Sequence, residues 1–177
     1  MIQVPFQDII EKLWSQGDSQ TTQQVFAVLD GARDPRIAPM IRLCRLEYYC
    51  LYAGKLSPHL QNAAPYIVHL ALNSPFTTDL LTQGWGKSWG FFTQSPPHVT
   101  IKQQRIHFRT LLRVKDESGR KLIFRFYDPR VLRVYLPTCT KAEIKQFFGP
   151  IPCMMAESED GNNLLSYFSG RKDQRFF

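Results

Sequence analysis

Apolar residues recur along the chain with two periods, and these periods predict helices that alternate with strands. Near the N-terminus, five apolar residues spaced for one helical face predict an amphipathic helix: Phe6, Ile9, Ile10, Leu13 and Trp14. Residues 25–29 form a continuous apolar run, which is typical of a strand buried on both faces. Further strands are predicted at residues 48–52, 65–70, 89–93 and 151–156, and further helices at 37–44, 75–83, 95–112 and 141–148.

One hairpin interrupts this alternation. Residues 111–114 lead into a polar turn at 116–119, and residues 121–127 return with alternating apolar and polar positions. The whole pattern predicts a single α/β (or α+β) domain, in which a mixed β-sheet is flanked by helices. We expect three segments: an N-terminal helix and loop at 1–23, a core at 24–156, and a tail at 157–177 with an edge strand at 164–168 and a mobile end.

A short motif occurs twice, each time between a strand-like run and an apolar helical run. The two copies are Asp34-Pro35-Arg36-Ile37 and Asp128-Pro129-Arg130-Val131. Aspartate accepts hydrogen bonds from the free amides at a helix start, and proline suits the first helical position, where no N–H is needed. We therefore predict two turns from strand to helix, which we call the first and second elbow, with Asp34 and Asp128 as helix caps.

The arginine of each elbow needs a partner. A cation in the first turn of a helix is disfavoured by the helix dipole, so we expect a carboxylate beside Arg36 and another beside Arg130. The candidates are Asp30, Asp34 and Asp128. One interpretation is a pair of capped helices with surface arginines, and the other is a shared groove lined by these charged side chains.

Composition and charge narrow the class of protein. Hydrophobic residues make up 44% and charged residues 21% of the 177 residues, as in a globular domain. The net charge of +7 is compatible with nucleic acid, an anionic membrane or an acidic protein as partner. No apolar run approaches the roughly 18 residues of a membrane span, and Asp8, Glu11 and Lys12 fall inside what would have to be the apolar region of a signal peptide. We therefore expect a cytoplasmic protein.

Motifs for catalysis and metal binding are missing from the sequence. The glycine-rich stretch at 84–90 lacks the spacing of a phosphate-binding loop, and the four histidines are scattered. We therefore expect no catalytic residue, no metal and no cofactor. Trp85 and Trp89 either pack beneath a tight turn or present their rings to a partner. The cluster of Asp30, Asp34 and Asp128 leaves a small hydrolase-like domain as an alternative, although arginine pairing is the simpler hypothesis.

A basic stripe is predicted along the helix at 95–112. Its members fall on one helical face: His98, Lys102, Arg105, Arg109 and Arg113. The stripe is interpreted as a solvated outer face, as a docking face for an acidic protein, or as a nucleic-acid-binding face. Binding to nucleic acid is the weakest of the three, because such proteins usually carry more charge and an element that reads the bases.

Seven blocks of sequence occur in an order that identifies a family. They lie at residues 28–36, 50–54, 64–68, 74–77, 84–90, 124–131 and 147–151. With these blocks the chain resembles the DUF4123 family, the adaptor chaperones of bacterial type VI secretion, over roughly residues 24–155. One block alone is weak, but seven in order are specific. The core at 24–156 is accordingly expected to be DUF4123-like.

The resemblance implies a role without catalysis. Such adaptors hold a toxic effector in the bacterial cytoplasm and help to load it onto the spike protein VgrG. We expect this chain to bind an effector, through the effector's N-terminal segment, by docking in a groove or by strand addition. Our candidates for partner contact are Arg36, Trp85, Trp89, Lys102, Arg105, Arg109, Tyr127 and Arg130. The alternative is a nucleic-acid-binding or hydrolase-like domain that uses the basic helix or the aspartate cluster.

Overall fold

A long antiparallel sheet forms the centre of the computed structural model, which describes residues 6–15, 22–170 and 175–176. The helices are α1 Phe6–Trp14, α2 Ile37–Leu43, α3 Pro58–Ala63, α4 Pro75–Gly84, α5 Ile101–Leu111, α6 Pro129–Tyr135 and α7 Lys141–Phe148. The strands are β1 Gln24–Asp30, β2 Tyr48–Cys50, β3 Pro65–His69, β4 Gly90–Ser95, β5 Arg113–Lys115, β6 Lys121–Ile123, β7 Cys153–Glu157, β8 Leu164–Phe168 and β9 Arg175–Phe176.

The predicted α/β single domain is confirmed, and the direction of its strands has a specific cause. The order in the main sheet is β2-β3-β1-β4-β7-β8-β9, and each described pair is antiparallel rather than part of a mixed sheet. Strands β1 and β2 run in the same direction, as a strand–helix–strand unit requires, but β3 lies between them. Strands β3 and β4 are separated by β1 in the same way. Each inserted strand runs opposite to its neighbours, so the sheet is antiparallel.

Apolar side chains fill both faces of the sheet. In β1, Phe26 and Val28 belong to one buried cluster, while Val25, Ala27 and Leu29 belong to the other. The first cluster contains side chains of α5, α6 and α7, and the second contains side chains of α1, α2 and α4. The continuous apolar run therefore forms a strand that is buried on both faces, as predicted.

The helix predicted at 95–112 begins six residues later than expected, at Ile101. Thr100 accepts a hydrogen bond from the backbone N–H of Gln103, and the Gln103 side chain accepts one from Thr100, which is a capping box. The residues before it form a turn in which the Val99 N–H donates to the Pro96 carbonyl at 2.9 Å. The helix therefore begins at this capping box and not at the earlier Ser95 and Pro96.

The predicted hairpin is present, but its return strand is shorter. Strands β5 and β6 form a separate two-stranded sheet, and β6 ends at Ile123. The Asp128 N–H donates to the Arg125 carbonyl at 3.0 Å, so the chain turns here before the second elbow. This turn removes Tyr127 from the strand in which the alternating pattern placed it.

The ends of the chain follow the predictions only in part. Helix α1 covers the N-terminal amphipathic segment, and the strand predicted at 164–168 is present as β8. It is not the edge strand that was predicted, because it pairs with β7 on one side and with β9 on the other. Residues 16–21 of the predicted loop, and residues 171–174 and 177 of the predicted mobile end, lie outside the described residues. In the described part of the chain, no helix is long and apolar enough to cross a membrane.

Candidate functional site

The first elbow joins β1 to α2 through a closely packed turn. The turn begins at Gly31, where an added Cβ would lie 2.5 Å from the carbonyl oxygen of Asn62, so only glycine fits. The Asp34 carboxylate accepts three hydrogen bonds from Arg36, from the backbone N–H at 3.0 Å, Nε at 2.8 Å and Nη2 at 2.7 Å. The hydrogen bonds from this guanidinium lower the pKa of Asp34 to about 2. Arg36 is therefore paired within its own motif.

The second elbow repeats this geometry. The Asp128 carboxylate accepts hydrogen bonds from the backbone N–H of Arg130 at 3.0 Å, from its Nε at 3.0 Å and from its Nη2 at 2.7 Å. Burial would raise the pKa of Asp128, but the hydrogen bonds from Arg130 outweigh it and lower that pKa. The two arginines are each satisfied by the aspartate two residues earlier, while about half of each side chain stays exposed.

The two caps differ in one respect. Asp128 is the residue at which α6 begins, whereas α2 begins after Arg36, whose side chain makes no cap. Asp34 instead closes the turn before α2, where the Ile37 N–H donates to the Asp34 carbonyl at 3.1 Å. The motif therefore forms the same local turn at both elbows. Counted from the aspartate of each motif, the regular helix begins two residues later at the first elbow than at the second.

An ion pair between a buried aspartate and a half-exposed arginine brings the elbows together. Asp30 ends β1 with a side chain that is only 1% exposed, and its carboxylate accepts a hydrogen bond from Arg125, just before the second elbow. The guanidinium of Arg125 lies 6.0 Å from the ring centroid of Tyr127, whose hydroxyl is 3.3 Å from that of Tyr52. The charge of Arg33 also contributes to the lowered pKa of Asp128. Residues that flank the two copies of the motif are therefore in contact, whereas the groove described below is lined by Arg130 of the second copy and by neither Asp34 nor Arg36.

The tryptophan loop, residues 84–90, lies against the first elbow and the loop after β7. Arg33 donates from Nε to the Ser88 carbonyl at 3.3 Å, and Glu157 accepts the backbone N–H groups of Gly86 and Ser88 at 2.6 Å each. Burial raises the pKa of Glu157, although these two amides act in the opposite direction. The loop is thus held by Arg33 in the turn after β1 and by Glu157 at the end of β7.

The two tryptophans have different environments. Trp89 is only 3% exposed, and the guanidinium of Arg36 and the ammonium of Lys87 lie 5.2 Å and 5.9 Å from its ring centroid. Trp85 is half-buried and donates from Nε1 to the Gly161 carbonyl at 2.7 Å. Tyr127 is buried as well. Among these predicted candidates, Trp85 alone keeps part of its ring at the surface.

An open groove of about 870 Å³ lies beside these elements. Its lining combines cations, acids, small polar groups and apolar side chains: Ser88, Arg130, Arg133, Val134, Ser158, Glu159, Asp160, Asn163 and Leu165. Arg133 is fixed by a 2.8 Å hydrogen bond from Nη1 to the Glu157 carbonyl, while Val134 is 72% exposed. A groove with both charged and apolar walls suits a polypeptide segment better than a small charged metabolite.

The predicted basic stripe is divided between different elements. His98 precedes α5, and Arg113 lies in β5. Arg105 donates from Nε to the Cys50 carbonyl at 3.2 Å and lies 5.1 Å from the ring centroid of Tyr49, so it packs against the sheet. Lys102 is exposed and Arg109 is half-buried. The continuous cationic track that a nucleic-acid backbone would follow is therefore interrupted.

The three aspartates of the hydrolase hypothesis do not form a carboxylate site. Asp30 pairs with Arg125, Asp34 with Arg36 and Asp128 with Arg130. An arginine against a carboxylate stabilises its charged form and makes it a poor general acid. Within the described residues, no three histidine, cysteine, aspartate or glutamate side chains are grouped as metal ligands. The arrangement is that of structural ion pairs.

Sequence reasoning missed several residues that build the site. Asp30 was a candidate partner for the elbow arginines, but its partner is Arg125, which no pattern had selected. Glu157 falls in the predicted tail at 157–177, but in the structure it ends the buried strand β7 and accepts hydrogen bonds from the tryptophan loop. A glutamate at the end of an apolar run was a signal that it is buried with a partner, but the sequence does not show which amides it binds.

A profile of the family described as "Domain of unknown function (DUF4123)" matches residues 25–146. The chain belongs to the DUF4123 family. The matched span runs from β1 into α7 and includes both elbows, the tryptophan loop and the β5–β6 hairpin. No curated protein and no solved structure is significantly similar to the chain. The DUF4123 match thus covers most of the candidate site, while the acidic loop that completes the groove lies after it.

Proposed function

We propose that this DUF4123 protein is a bacterial cytoplasmic adaptor that binds a type VI secretion effector and helps to load it onto the VgrG spike. The family membership supports this role through the resemblance described above. The observation that carries the proposal is the groove beside the second elbow, where half-exposed Arg130 and exposed Val134 face the loop at 158–163. An exposed apolar side chain among charged and polar groups at a concave surface resembles the mixed apolar and polar composition of protein–protein interfaces.

The pairing of the charges supports binding over catalysis. Asp30, Asp34 and Asp128 are each paired with an arginine, and Glu157 is occupied by two backbone amides. Groups held in this way give a rigid frame and are poorly suited to acid–base chemistry. A rigid frame lowers the entropy lost on binding, which favours capture of an extended segment such as an effector N-terminus.

The experiment is co-expression with the toxin and VgrG that the proposal expects to be encoded beside this gene. We expect the wild-type protein to purify with the toxin in a stoichiometric complex on a sizing column. Val134→Asp should weaken that complex roughly tenfold, since it buries a charge in the groove. Leu43→Asp is the matched control, because Leu43 is an exposed apolar residue outside the groove lining, and it should keep the complex.

Two results would contradict the proposal. One is the absence of a stoichiometric complex between the wild-type protein and either neighbouring gene product. The other is an equal loss of the complex for Val134→Asp and Leu43→Asp, since a general effect of surface charge would then explain both. Circular dichroism of each variant establishes that a lost complex does not arise from unfolding.

A further inference from the structure

The β5–β6 hairpin extends from the core as a two-stranded ribbon. Among the described strands, β5 and β6 pair only with each other, and all of their residues are exposed. The ribbon is attached at its base, where the Phe124 N–H donates to the Leu112 carbonyl at 2.9 Å and both side chains pack on the core. An isolated two-stranded hairpin is only marginally stable in water. A further strand that paired with this exposed ribbon would therefore stabilise it.

The cross-strand register gives the ribbon two chemically different faces. Val114 lies opposite Leu122, and both are exposed, by 41% and 47%. The other face places Arg113 opposite Ile123 and Lys115 opposite Lys121, because alternate residues of a strand point to opposite sides. One face is thus apolar, while the other carries three cations around one isoleucine.

The lysine pair has no counter-charge within the ribbon. Like charges directly opposite each other in an antiparallel pair destabilise it. The connecting turn contains Asp116 and Glu117, and Asp116 accepts a hydrogen bond from Arg120 Nε at 2.8 Å. None of the ion pairs within the described residues involves Lys115 or Lys121. Carboxylates supplied from outside the ribbon would remove this repulsion.

The backbone of the ribbon also has free edges. The Phe124 N–H donates to the Leu112 carbonyl, and the Asp116 N–H donates to the Arg120 carbonyl, so these residues form inward-facing pairs. Inward and outward pairs alternate along an antiparallel ladder. The N–H and C=O groups at 113, 115, 121 and 123 consequently point away from the ribbon, where a third strand would meet them.

We propose that this ribbon is a docking site for an extended segment of a partner protein in which acidic and apolar residues alternate. The segment adds to one outer edge as a third strand, with its carboxylates on the ribbon face of Lys115 and Lys121 and its apolar side chains on the face of Val114 and Leu122. The apolar face and the open edge favour a peptide strand over nucleic acid, which would use the cations alone. This inference goes beyond the adaptor proposal, since it concerns a surface separate from the groove lining.

A synthetic peptide of alternating glutamate and valine tests the proposal directly with the full-length protein. Fluorescence anisotropy should show that this peptide binds, and that the same peptide with lysine in place of glutamate does not. Lys115→Glu/Lys121→Glu should weaken binding roughly tenfold, because each attraction becomes a repulsion. This variant keeps a like-charged pair, so the internal strain of the ribbon is unchanged. The control Lys55→Glu/Lys141→Glu changes the net charge equally at exposed positions elsewhere and should bind as the wild type does.

Hydrogen exchange provides a second measurement that reports strand addition. Saturating peptide should slow exchange at the outward amides of one strand, either 113 and 115 or 121 and 123. The proposal is overturned by equal binding of both charge-reversed variants, or by binding that leaves all four amides unchanged. Binding of duplex DNA by the wild-type protein, with no binding of the peptide, would also overturn it. None of these results depends on an effector, so failure here is distinct from failure of the adaptor proposal.

Discussion

The Asp-Pro-Arg motif shows how far single residues can be interpreted. Residue chemistry predicted an aspartate that binds backbone amides and an arginine that needs a carboxylate. The structure adds that both requirements are met by the same two residues, since Asp34 and Asp128 each bind the amide and the guanidinium of their own arginine. The partner was predictable in type but not in identity, because the sequence offered three candidate aspartates, Asp30, Asp34 and Asp128, and did not show which would lie beside each arginine.

The pairing of Asp34 predicts a defined pH dependence. Its pKa is lowered to about 2 in the folded protein, against about 3.9 in an unfolded chain. The stabilisation is therefore present above about pH 4 and is lost as the pH falls towards about 2. Asp34→Asn removes the charge, so it should lower the urea midpoint slightly near neutral pH, and this effect should shrink steadily as the pH falls towards about 2.

The measurement is urea unfolding of the wild type and Asp34→Asn across this acid range. Taking the difference between the two proteins cancels the titration of the other carboxylates. A difference that stays constant from neutral pH to about pH 2 would show that the Asp34–Arg36 pair does not contribute through its charge.

At the scale of elements, helix α5 depends on a polar contact inside the core. Gln104 is fully buried, accepts a hydrogen bond from the Thr93 hydroxyl at 2.7 Å and donates to the Ser95 hydroxyl at 3.3 Å. These two residues lie on β4, so the contact sets how the helix sits on the sheet. The basic and apolar faces of α5 were predictable from spacing. The buried glutamine was not, because a polar residue among charged ones gives no periodic signal.

Replacing Gln104 by leucine should destabilise the protein by about 1–3 kcal/mol. The two strand hydroxyls would then be buried without their partner, and an unsatisfied buried polar group costs that much. Adding Thr93→Val removes one orphaned hydroxyl and should recover part of the loss. Chemical denaturation of both variants is the measurement. A double variant that is less stable than Gln104→Leu would indicate that packing volume, rather than hydrogen bonding, dominates this contact.

At the scale of the whole molecule, the sequence predicted the elements better than their order in the sheet. Periodicity located α1, β1 and β8 because these segments have strong apolar faces. It did not predict that β3 would lie between β1 and β2, since strand order depends on contacts between distant segments. The same reason limits what could be predicted of the candidate site. Its elbows and tryptophan loop were recognisable as motifs in the sequence. That these segments contact one another depends on the order of the strands in the folded sheet.

Mutation of the ion pair between Asp30 and Arg125 tests how strongly the end of β1 and the second elbow stabilise each other. This pair joins residues 95 positions apart and links the end of β1 to the second elbow. Arg125→Met should destabilise the protein by about 2 kcal/mol, because the buried Asp30 would lose a charged hydrogen-bond donor while its 3.1 Å bond from the Ala32 N–H remains. Asp30→Asn should also destabilise it, and the double variant should cost less than the sum of the two.

A double-mutant cycle in urea measures this coupling. The matched control is Arg120→Met, because Arg120 forms a similar ion pair with Asp116 at the exposed tip of the hairpin. Its loss should leave stability nearly unchanged, since an exposed ion pair contributes little. If the effects of Asp30→Asn and Arg125→Met proved additive, this ion pair would not link the end of β1 to the second elbow energetically. A positive coupling would show that the end of β1 helps to position the second elbow, and with it Arg130 in the groove.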